Sequence, residues 1–154
     1  MTTRCQLYLV RHAEKQATAG EKDPPLTAQG EQRARALVDA LADRPLQQVY
    51  ATDYRRTQAT VAPVAAARGL PVQRYDARQS GAFLTALLAQ GCPNGVLIAG
   101  HSNTLPELLR HAGIAETATE FDESRYGELF LIERTLTAGG WQATLRIERF
   151  GDAK

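Results

Sequence analysis

The stretch QLYLVRHAEK, residues 6–15 of this 154-residue chain, contains the strongest signal for its fold. Its apolar part, Gln6 to Val10, is short and rich in strand formers, and it ends at the pair Arg11-His12. Open α/β sheets keep their chemistry at the carboxyl ends of such buried strands. The stretch therefore predicts a strand that delivers an arginine and a histidine to a functional edge.

Strand patterns and helix patterns alternate along the rest of the chain. Thr27 is a predicted helix N-cap and Gly69 a predicted helix stop. Pro63 should either kink the helix that contains it or lie where one face of that helix is free. Strands are predicted at residues 48–51, 72–75 and 95–99, and helices at 28–41, 54–68, 83–88 and 106–113. This alternation is typical of parallel sheets covered by helices.

The last third of the chain has a different pattern. Residues 128–132 and 143–149 have strand character, and the turn between them contains Gly139-Gly140, so an antiparallel hairpin is predicted. Together these patterns predict an α/β protein: a three-layer α/β/α sandwich with a mostly parallel central sheet and a C-terminal antiparallel hairpin. A single domain over residues 1–154 is expected from the length and the 44% hydrophobic content.

A second predicted strand also ends in a histidine, in VLIAGHSNT, residues 96–104. The pair Arg55-Arg56 opens the helix after another strand. Because neighbouring parallel strands end at the same edge, His12, His101 and these arginines are expected to share one crevice. Guanidinium groups match the equatorial oxygens of a phosphoryl group in transfer, and a neutral imidazole can attack phosphorus. His101 is expected to be protonated beside a dianion and to donate to it.

Four segments in order resemble the signature stretches of the histidine phosphatase superfamily, also called the phosphoglycerate mutase-like fold. They are LYLVRHAEK (7–15), PLTAQGEQRA (25–34), VYATDYRRTQAT (49–60) and VLIAGHSNT (96–104). Within that superfamily the chain resembles the small single-domain phosphohistidine phosphatases. The resemblance implies the fold predicted above and a phosphohistidine enzyme intermediate.

By this resemblance, His12 matches the histidine that is phosphorylated and Arg11 the phosphate-binding arginine before it. Arg56 matches the arginine of the third stretch, and His101 the second catalytic histidine. Ser102 and Asn103 follow His101 at positions where the family often offers donors to phosphate.

The chain departs from the family pattern in two places. The usual glycine after Arg-His is Ala13 here. No position matches with certainty the acidic residue that protonates the leaving group in larger members, and location alone makes Asp76 and Glu14 the candidates. A good leaving group would make such an acid less necessary.

Composition narrows the class of protein further. The formal net charge of +1, with acids and bases interspersed, gives no basic face for nucleic acid. No metal-ligand spacing or Walker-type phosphate loop is present, so neither metal nor organic cofactor is expected.

Cys5 and Cys92 are expected to be reduced thiols. The N-terminus has neither a signal pattern nor a membrane span, and a cytoplasmic location is the expectation. The oligomeric state is left open.

The expected activity is hydrolysis of phosphomonoesters or phosphohistidine, with a phosphorylated protein as the favoured partner. The stretch between Tyr75 and Ser80 is too short for the cap with which mutases retain an intermediate, so mutase activity is disfavoured. One alternative is a broad-specificity phosphatase of small phosphorylated metabolites. Another, of a different class, is a catalytically silent phosphate-binding or interaction module.

Overall fold

The computed structural model describes residues 4–17, 20–91 and 93–151. Its elements, in chain order, are β1 (Arg4–Arg11), α1 (Ala28–Ala40), β2 (Gln48–Ala51), α2 (Arg55–Arg68), β3 (Val72–Arg74), α3 (Ser80–Ala89), β4 (Asn94–Gly100), α4 (Leu105–His111), β5 (Glu128–Thr137) and β6 (Gly140–Arg149). A short 3₁₀ turn, Ala77–Gln79, precedes α3. The predicted order of strands and helices is confirmed.

Six strands form one sheet in the order β3-β2-β4-β1-β5-β6. β3, β2, β4 and β1 are parallel neighbours, whereas β5 and β6 run antiparallel. The predicted fold class is therefore confirmed. β1 lies between β4 and β5, which places the strand that ends at Arg11 in the middle of the sheet.

Alternation along the central strands explains the three layers. Leu7 and Leu9 of β1 face a core with α3 and α4, and Tyr8 and Val10 face a second core with α1 and α2. β4 divides its side chains in the same way. Because successive strand residues point to opposite faces, a strand segment buried on both faces must be apolar, as residues 7–10 of β1 and 96–99 of β4 are.

Local signals set the helix boundaries. The Thr27 hydroxyl accepts a hydrogen bond from the Gly30 amide at 3.0 Å and caps α1, and Gly69 ends α2 with a left-handed φ of 66°. Pro63 lies inside α2, which continues past it to Arg68.

The C-terminal hairpin is longer than predicted. β5 and β6 each contain ten residues and stay paired from Glu128↔Arg149 to Thr137↔Gly140. The outer halves of these strands are largely exposed and mix polar residues with isolated apolar ones, Leu136 and Trp141, so they lack the apolar pattern on which the prediction relied.

The state of the Cys5 side chain differs from the prediction. It is fully buried in β1 and disulfide-bonded, so the prediction of a reduced thiol is wrong for this residue. Cys92 lies outside the described residues. Within the part of the chain that the structure describes, no helix is long and apolar enough to cross a bilayer. The assignment of residues 1–154 to one domain stays a prediction.

Candidate active site

The two histidines meet because their strands are neighbours in register. Arg11 of β1 pairs with Gly100 of β4, and the His12 amide donates to the Gly100 carbonyl at 3.0 Å. Both strands end here, and the next residue of each chain segment is a histidine. The ring centroids of His12 and His101 are 5.4 Å apart, with the rings inclined at 60°.

The His12 ring is buried and its tautomer is determined by one contact. Nδ1 lies 2.8 Å from the carbonyl oxygen of Ala13, which can only accept, so Nδ1 carries the proton. Nε2 therefore keeps a lone pair. Burial lowers the pKa of His12 to about 3, with further lowering by the charges of Arg11, His101 and Arg56 and some opposition from the hydrogen bond to Ala13. At neutral pH the ring is an uncharged nucleophile.

Arg11 is held by the segment that precedes β5. Its guanidinium donates to the carbonyls of Glu123 at 2.6 Å and Arg125 at 3.2 Å. The same group lies 4.1 Å from the centre of the Tyr126 ring and 3.4 Å from its hydroxyl. Contacts to carbonyls and to a ring face fix the planar guanidinium beside His12 without neutralising its charge.

Arg56 lies in the first turn of α2. Its guanidinium is 4.4 Å from the centre of the Tyr54 ring, and the Tyr54 ring in turn packs edge-on against His101 at 5.2 Å between centroids. Arg55, the neighbouring residue, is exposed. The Nε atoms of Arg11 and Arg56 are buried and have no hydrogen-bond partner among the described residues, so both can donate to an anion in the crevice.

His101 is anchored through threonine hydroxyls. Its Nε2 lies 3.1 Å from Oγ1 of Thr52, and its amide donates to Oγ1 of Thr104 at 2.9 Å. Burial, followed by the charges of Arg56 and Arg11, lowers the pKa of His101 to about 4. The ring is thus neutral at pH 7 in the protein alone, and its expected protonation requires a dianion to offset the two arginine charges.

One hydroxyl joins the two halves of the site. Oγ1 of Thr60 accepts from the Ala13 amide at 2.8 Å and donates to the Arg56 carbonyl at 2.6 Å. The residue after the nucleophile and the first turn of α2 are therefore held at a fixed separation.

Ser102 and Asn103 take different positions after His101. A cavity of about 240 Å³ is lined by His101, Arg56, Tyr54, Asn103, Thr104, Ala77 and Arg78. Asn103 is exposed at its wall. Ser102 is absent from this lining, and its carbonyl accepts from the Phe121 amide at 2.8 Å. Asn103 is thus the better placed of the two to contact a ligand.

Neither candidate acid has the environment of a proton donor. The Asp76 carboxylate caps the 3₁₀ turn by accepting from the Arg78 amide at 2.9 Å, and this bond lowers its pKa. Glu14 accepts from Arg33 at 2.9, 3.1 and 2.7 Å. Burial raises the pKa of Glu14, but the Arg33 contacts and charge outweigh it and the net shift is downward. Both carboxylates are ionised and engaged, and no described carboxylate lines the cavity beside His101.

Four site residues were not predicted from the sequence. Tyr54 and Tyr126 support the two arginines, and Thr52 and Thr60 orient the backbone and His101. A tyrosine directly before Arg55-Arg56 could have indicated a ring within reach of Arg56, whereas Tyr126 is 115 positions from Arg11 and only the fold brings them together.

The positions of the described side chains show whether they could bind a metal ion together. Among residues 4–17, 20–91 and 93–151, no three histidine, cysteine, aspartate or glutamate side chains lie close enough together to hold a metal ion. The positive charge of the crevice comes from guanidinium groups.

Comparison with known proteins supports the family resemblance predicted from the sequence motifs. Residues 7–79 match the model of the histidine phosphatase superfamily, branch 1. A probable phosphoglycerate mutase GpmB from Enterobacter sp. (strain 638) is 40% identical over 72 residues, which cover 44% of this chain and 34% of the relative. Another, from Shigella dysenteriae serotype 1, is 38% identical over 78 residues and is covered over 36% of its length. The matched region thus spans about a third of these curated relatives.

Solved structures share the whole fold. A putative alpha-ribazole-5'-P phosphatase from Escherichia coli K-12 has a TM-score of 0.72 at 19% identity, covering 94% of this chain and 96% of that one. The protein histidine phosphatase SixA, complexed with tungstate, has a TM-score of 0.68 at 19% identity, covering 95% and 97%. These likenesses confirm the fold. The match of residues 7–79 to the family model confirms the predicted resemblance to the histidine phosphatase superfamily.

Proposed function

We propose that this protein is a metal-independent phosphatase that transfers a phosphoryl group to Nε2 of His12. The observation that carries the proposal is the His12 ring, which is neutral, has Nδ1 bound to the Ala13 carbonyl, lies 5.4 Å from His101 and is exposed to the charges of Arg11 and Arg56. A nucleophile with a free lone pair among fixed cationic donors suits in-line attack on phosphorus.

The reaction has two displacements. In the first, the Nε2 lone pair forms a bond to phosphorus while the bond from phosphorus to the leaving group breaks, and the leaving group takes that electron pair. In the second, a water oxygen attacks phosphorus, the bond to Nε2 breaks, and the water proton is released to solvent. Arg11, Arg56 and His101 stabilise the equatorial oxygens in both steps, with Asn103 at the wall of the crevice.

A phosphohistidine protein is the proposed substrate. The support is the state of the candidate acids: Asp76 caps a turn and Glu14 is paired with Arg33, so neither is poised to protonate a leaving group. Cleavage of a phosphorus–nitrogen bond needs less such help than cleavage of an alkyl ester.

A phosphatase of small phosphorylated metabolites is the second candidate. The crevice is open, and the connection from β3 to α3 is only the five residues 75–79, too short to cover a ligand. The same short connection argues against mutase activity, in spite of the mutase names of the sequence relatives. A third candidate, a silent phosphate-binding module, is opposed by the presence of both histidines and both arginines.

The decisive experiment is to trap the phosphoenzyme. The protein is mixed with an aryl phosphate, quenched in base, and examined for an acid-labile, base-stable phosphoryl group, with His12→Ala as the test variant and His111→Ala as the matched control. Label and turnover in the wild type and in His111→Ala, but not in His12→Ala, are expected. Absence of label and turnover in the wild type would favour the silent module.

A direct competition separates the two substrate classes. Phosphohistidine peptides and a panel of sugar and nucleotide phosphates are compared by kcat/KM. We expect the peptides to be preferred, and turnover of the metabolites alone would overturn that preference.

The proposed compartment is the cytoplasm, where phosphorylated proteins and metabolites are found, and neither nucleic acid nor membrane is a proposed partner. The disulfide at Cys5 opposes this assignment, because cytosolic thiols are normally kept reduced. Activity measured before and after reduction of the Cys5 disulfide tests it: the reduced protein is expected to keep full activity, and activity that requires the disulfide would contradict the assignment.

A further inference from the structure

The chain between β1 and α1, described over residues 12–17 and 20–27 and called here the basic loop, flanks the crevice on the side of Arg56. A cavity of about 440 Å³ lies against it, lined by Lys15, Lys22, Glu21, Gln16, Ala17, Pro24 and Arg56. Arg56 also lines the cavity beside His101, so one guanidinium borders both spaces. A ligand phosphoryl group at Arg56 therefore has this second cavity next to it.

The basic loop is fixed in place on both sides. Lys15 pairs with Leu26 in an antiparallel bridge, and the Gln16 amide donates to the Pro25 carbonyl at 2.8 Å. At the far end, Asp23 accepts a hydrogen bond from the Arg55 amide at 2.8 Å, which ties the loop to the start of α2. These contacts hold the backbone of the two lysines at a set position relative to Arg56.

The charge of this cavity is positive. The chain has three lysines, Lys15, Lys22 and Lys154, so two of them lie in this one loop. Neither Lys15 nor Lys22 forms an ion pair with a described residue. The one carboxylate in the lining, Glu21, accepts a hydrogen bond from the Asp23 amide at 3.1 Å within its own turn.

We infer that the basic loop is a second anion subsite, which takes a carboxylate or phosphate group carried by the same molecule as the phosphoryl group that reacts at His12. This inference rests on the proposed phosphatase function and adds the substrate class. Ammonium groups act as point charges without a fixed geometry, so the subsite selects charge rather than shape. An acidic side chain beside a phosphorylated residue and a second anionic group on a small metabolite both supply that charge.

Matched substrates test the subsite. One pair is phenyl phosphate and 4-carboxyphenyl phosphate, and the other is a phosphohistidine peptide flanked by glutamines or by glutamates. For each pair the measured quantity is the ratio of kcat/KM, acidic over neutral. We expect a ratio of about 3 to 10 at low salt, falling towards 1 as salt screens the exposed lysines. The pair with the larger ratio identifies the source of the anion.

Variants then assign the preference to the two lysines. Lys15→Gln/Lys22→Gln is expected to bring the ratio to about 1, and Lys15→Glu/Lys22→Glu to bring it below 1, whereas Arg35→Gln, which removes one exposed charge from α1, should retain the wild-type ratio. Thermal unfolding checks that each variant folds.

The possible failures are distinguishable. If the wild type turns over neither phenyl phosphate nor the neutral peptide, the proposed function fails. If it turns them over with ratios of 1 at low salt, or if the double variants keep the wild-type preference, the subsite is wrong and the phosphatase stands.

Discussion

The His12 half and the His101 half of the crevice are built from the same three residue types. Each has a histidine after a buried strand, an arginine and a tyrosine whose ring lies under that arginine, at 4.1 Å in the first half and 4.4 Å in the second. They differ in what holds the imidazole. A main-chain carbonyl holds Nδ1 of His12, whereas a threonine hydroxyl contacts Nε2 of His101.

This difference separates two tasks. A carbonyl can only accept, so it imposes one tautomer and leaves Nε2 of His12 as a permanent lone pair. A hydroxyl can donate or accept, so Thr52 tolerates a neutral or a protonated His101. The first half is therefore suited to attack, and the second to meeting a charge that changes during the reaction.

The largest expected effect is the unequal loss from removing each imidazole. His12→Gln removes the nucleophile and should lower kcat/KM for an aryl phosphate by at least about 10⁴-fold, as loss of a nucleophile does elsewhere. His101→Gln removes one stabilising donor and should cost about 10² to 10³.

His111→Gln, on the exposed end of α4, is the control for this pair and should keep wild-type kcat/KM. Comparable losses in His12→Gln and His101→Gln, with label on either residue, would show that the two halves are interchangeable and contradict the division of tasks.

The pH dependence of the free energy of unfolding should show that both histidines are buried and uncharged in the folded protein. The pKa falls from 6.5 to about 3 for His12 and to about 4 for His101 on folding. Between these values and 6.5 the unfolded chain binds more protons, so the free energy of unfolding should be level above pH 6.5 and fall as pH drops. Each residue contributes up to about 1.4 kcal/mol per pH unit.

Urea unfolding at a series of pH values measures this slope. Each variant should remove the contribution of its histidine to the slope of the free energy of unfolding against pH. For His12→Gln this reduction should extend to a lower pH than for His101→Gln, because the pKa of His12 is the lower of the two. An unchanged slope in both variants would mean that neither ring is buried uncharged.

A smaller effect is expected at Glu14, which is on the His12 side but faces away from the chemistry. Its ion pair with Arg33 leaves only 8% of the Arg33 side chain and 16% of the Glu14 side chain exposed. Glu14→Gln removes one charged partner of the buried Arg33 guanidinium and should lower the free energy of unfolding by about 2 to 4 kcal/mol.

Activity discriminates between the two roles of Glu14. With the variant still folded, kcat for an aryl phosphate and for a poorer alkyl leaving group should fall by the same small factor. A selective loss with the alkyl ester, at unchanged stability, would show instead that Glu14 is the general acid.

The smallest effect is a contrast between the two tyrosines. The Tyr126 hydroxyl lies 3.4 Å from Arg11, whereas Tyr54 offers Arg56 its ring. Tyr126→Phe removes the hydroxyl near Arg11 and should raise KM by about two- to threefold, because this contact is weak. Tyr54→Phe keeps the ring that contacts Arg56 and should leave KM unchanged. A larger rise in Tyr54→Phe than in Tyr126→Phe would reverse this assignment.

Local signals explain why so much of the fold could be predicted. The strand that ends in Arg11-His12, the cap at Thr27 and the stop at Gly69 each depend on residues close in sequence. The hairpin was underestimated because its outer half, including Leu136 and Trp141, is exposed and is paired by backbone hydrogen bonds with little apolar pattern. The disulfide at Cys5 had no local signal, because the closeness of two sulfur atoms that a disulfide requires is set by the tertiary fold.

Motif order and periodicity along the chain were enough to predict the family resemblance, the strand ends and the identity of the four residues proposed to bind phosphoryl. Which carboxylates are already engaged, which rings lie under the arginines, and which nitrogen of His12 carries the proton became clear only from the tertiary structure. Those properties depend on contacts such as Glu14 with Arg33 and Arg11 with Tyr126, between residues 19 and 115 positions apart. Burial and charge at such contacts set a pKa, and neither can be read from neighbours in sequence.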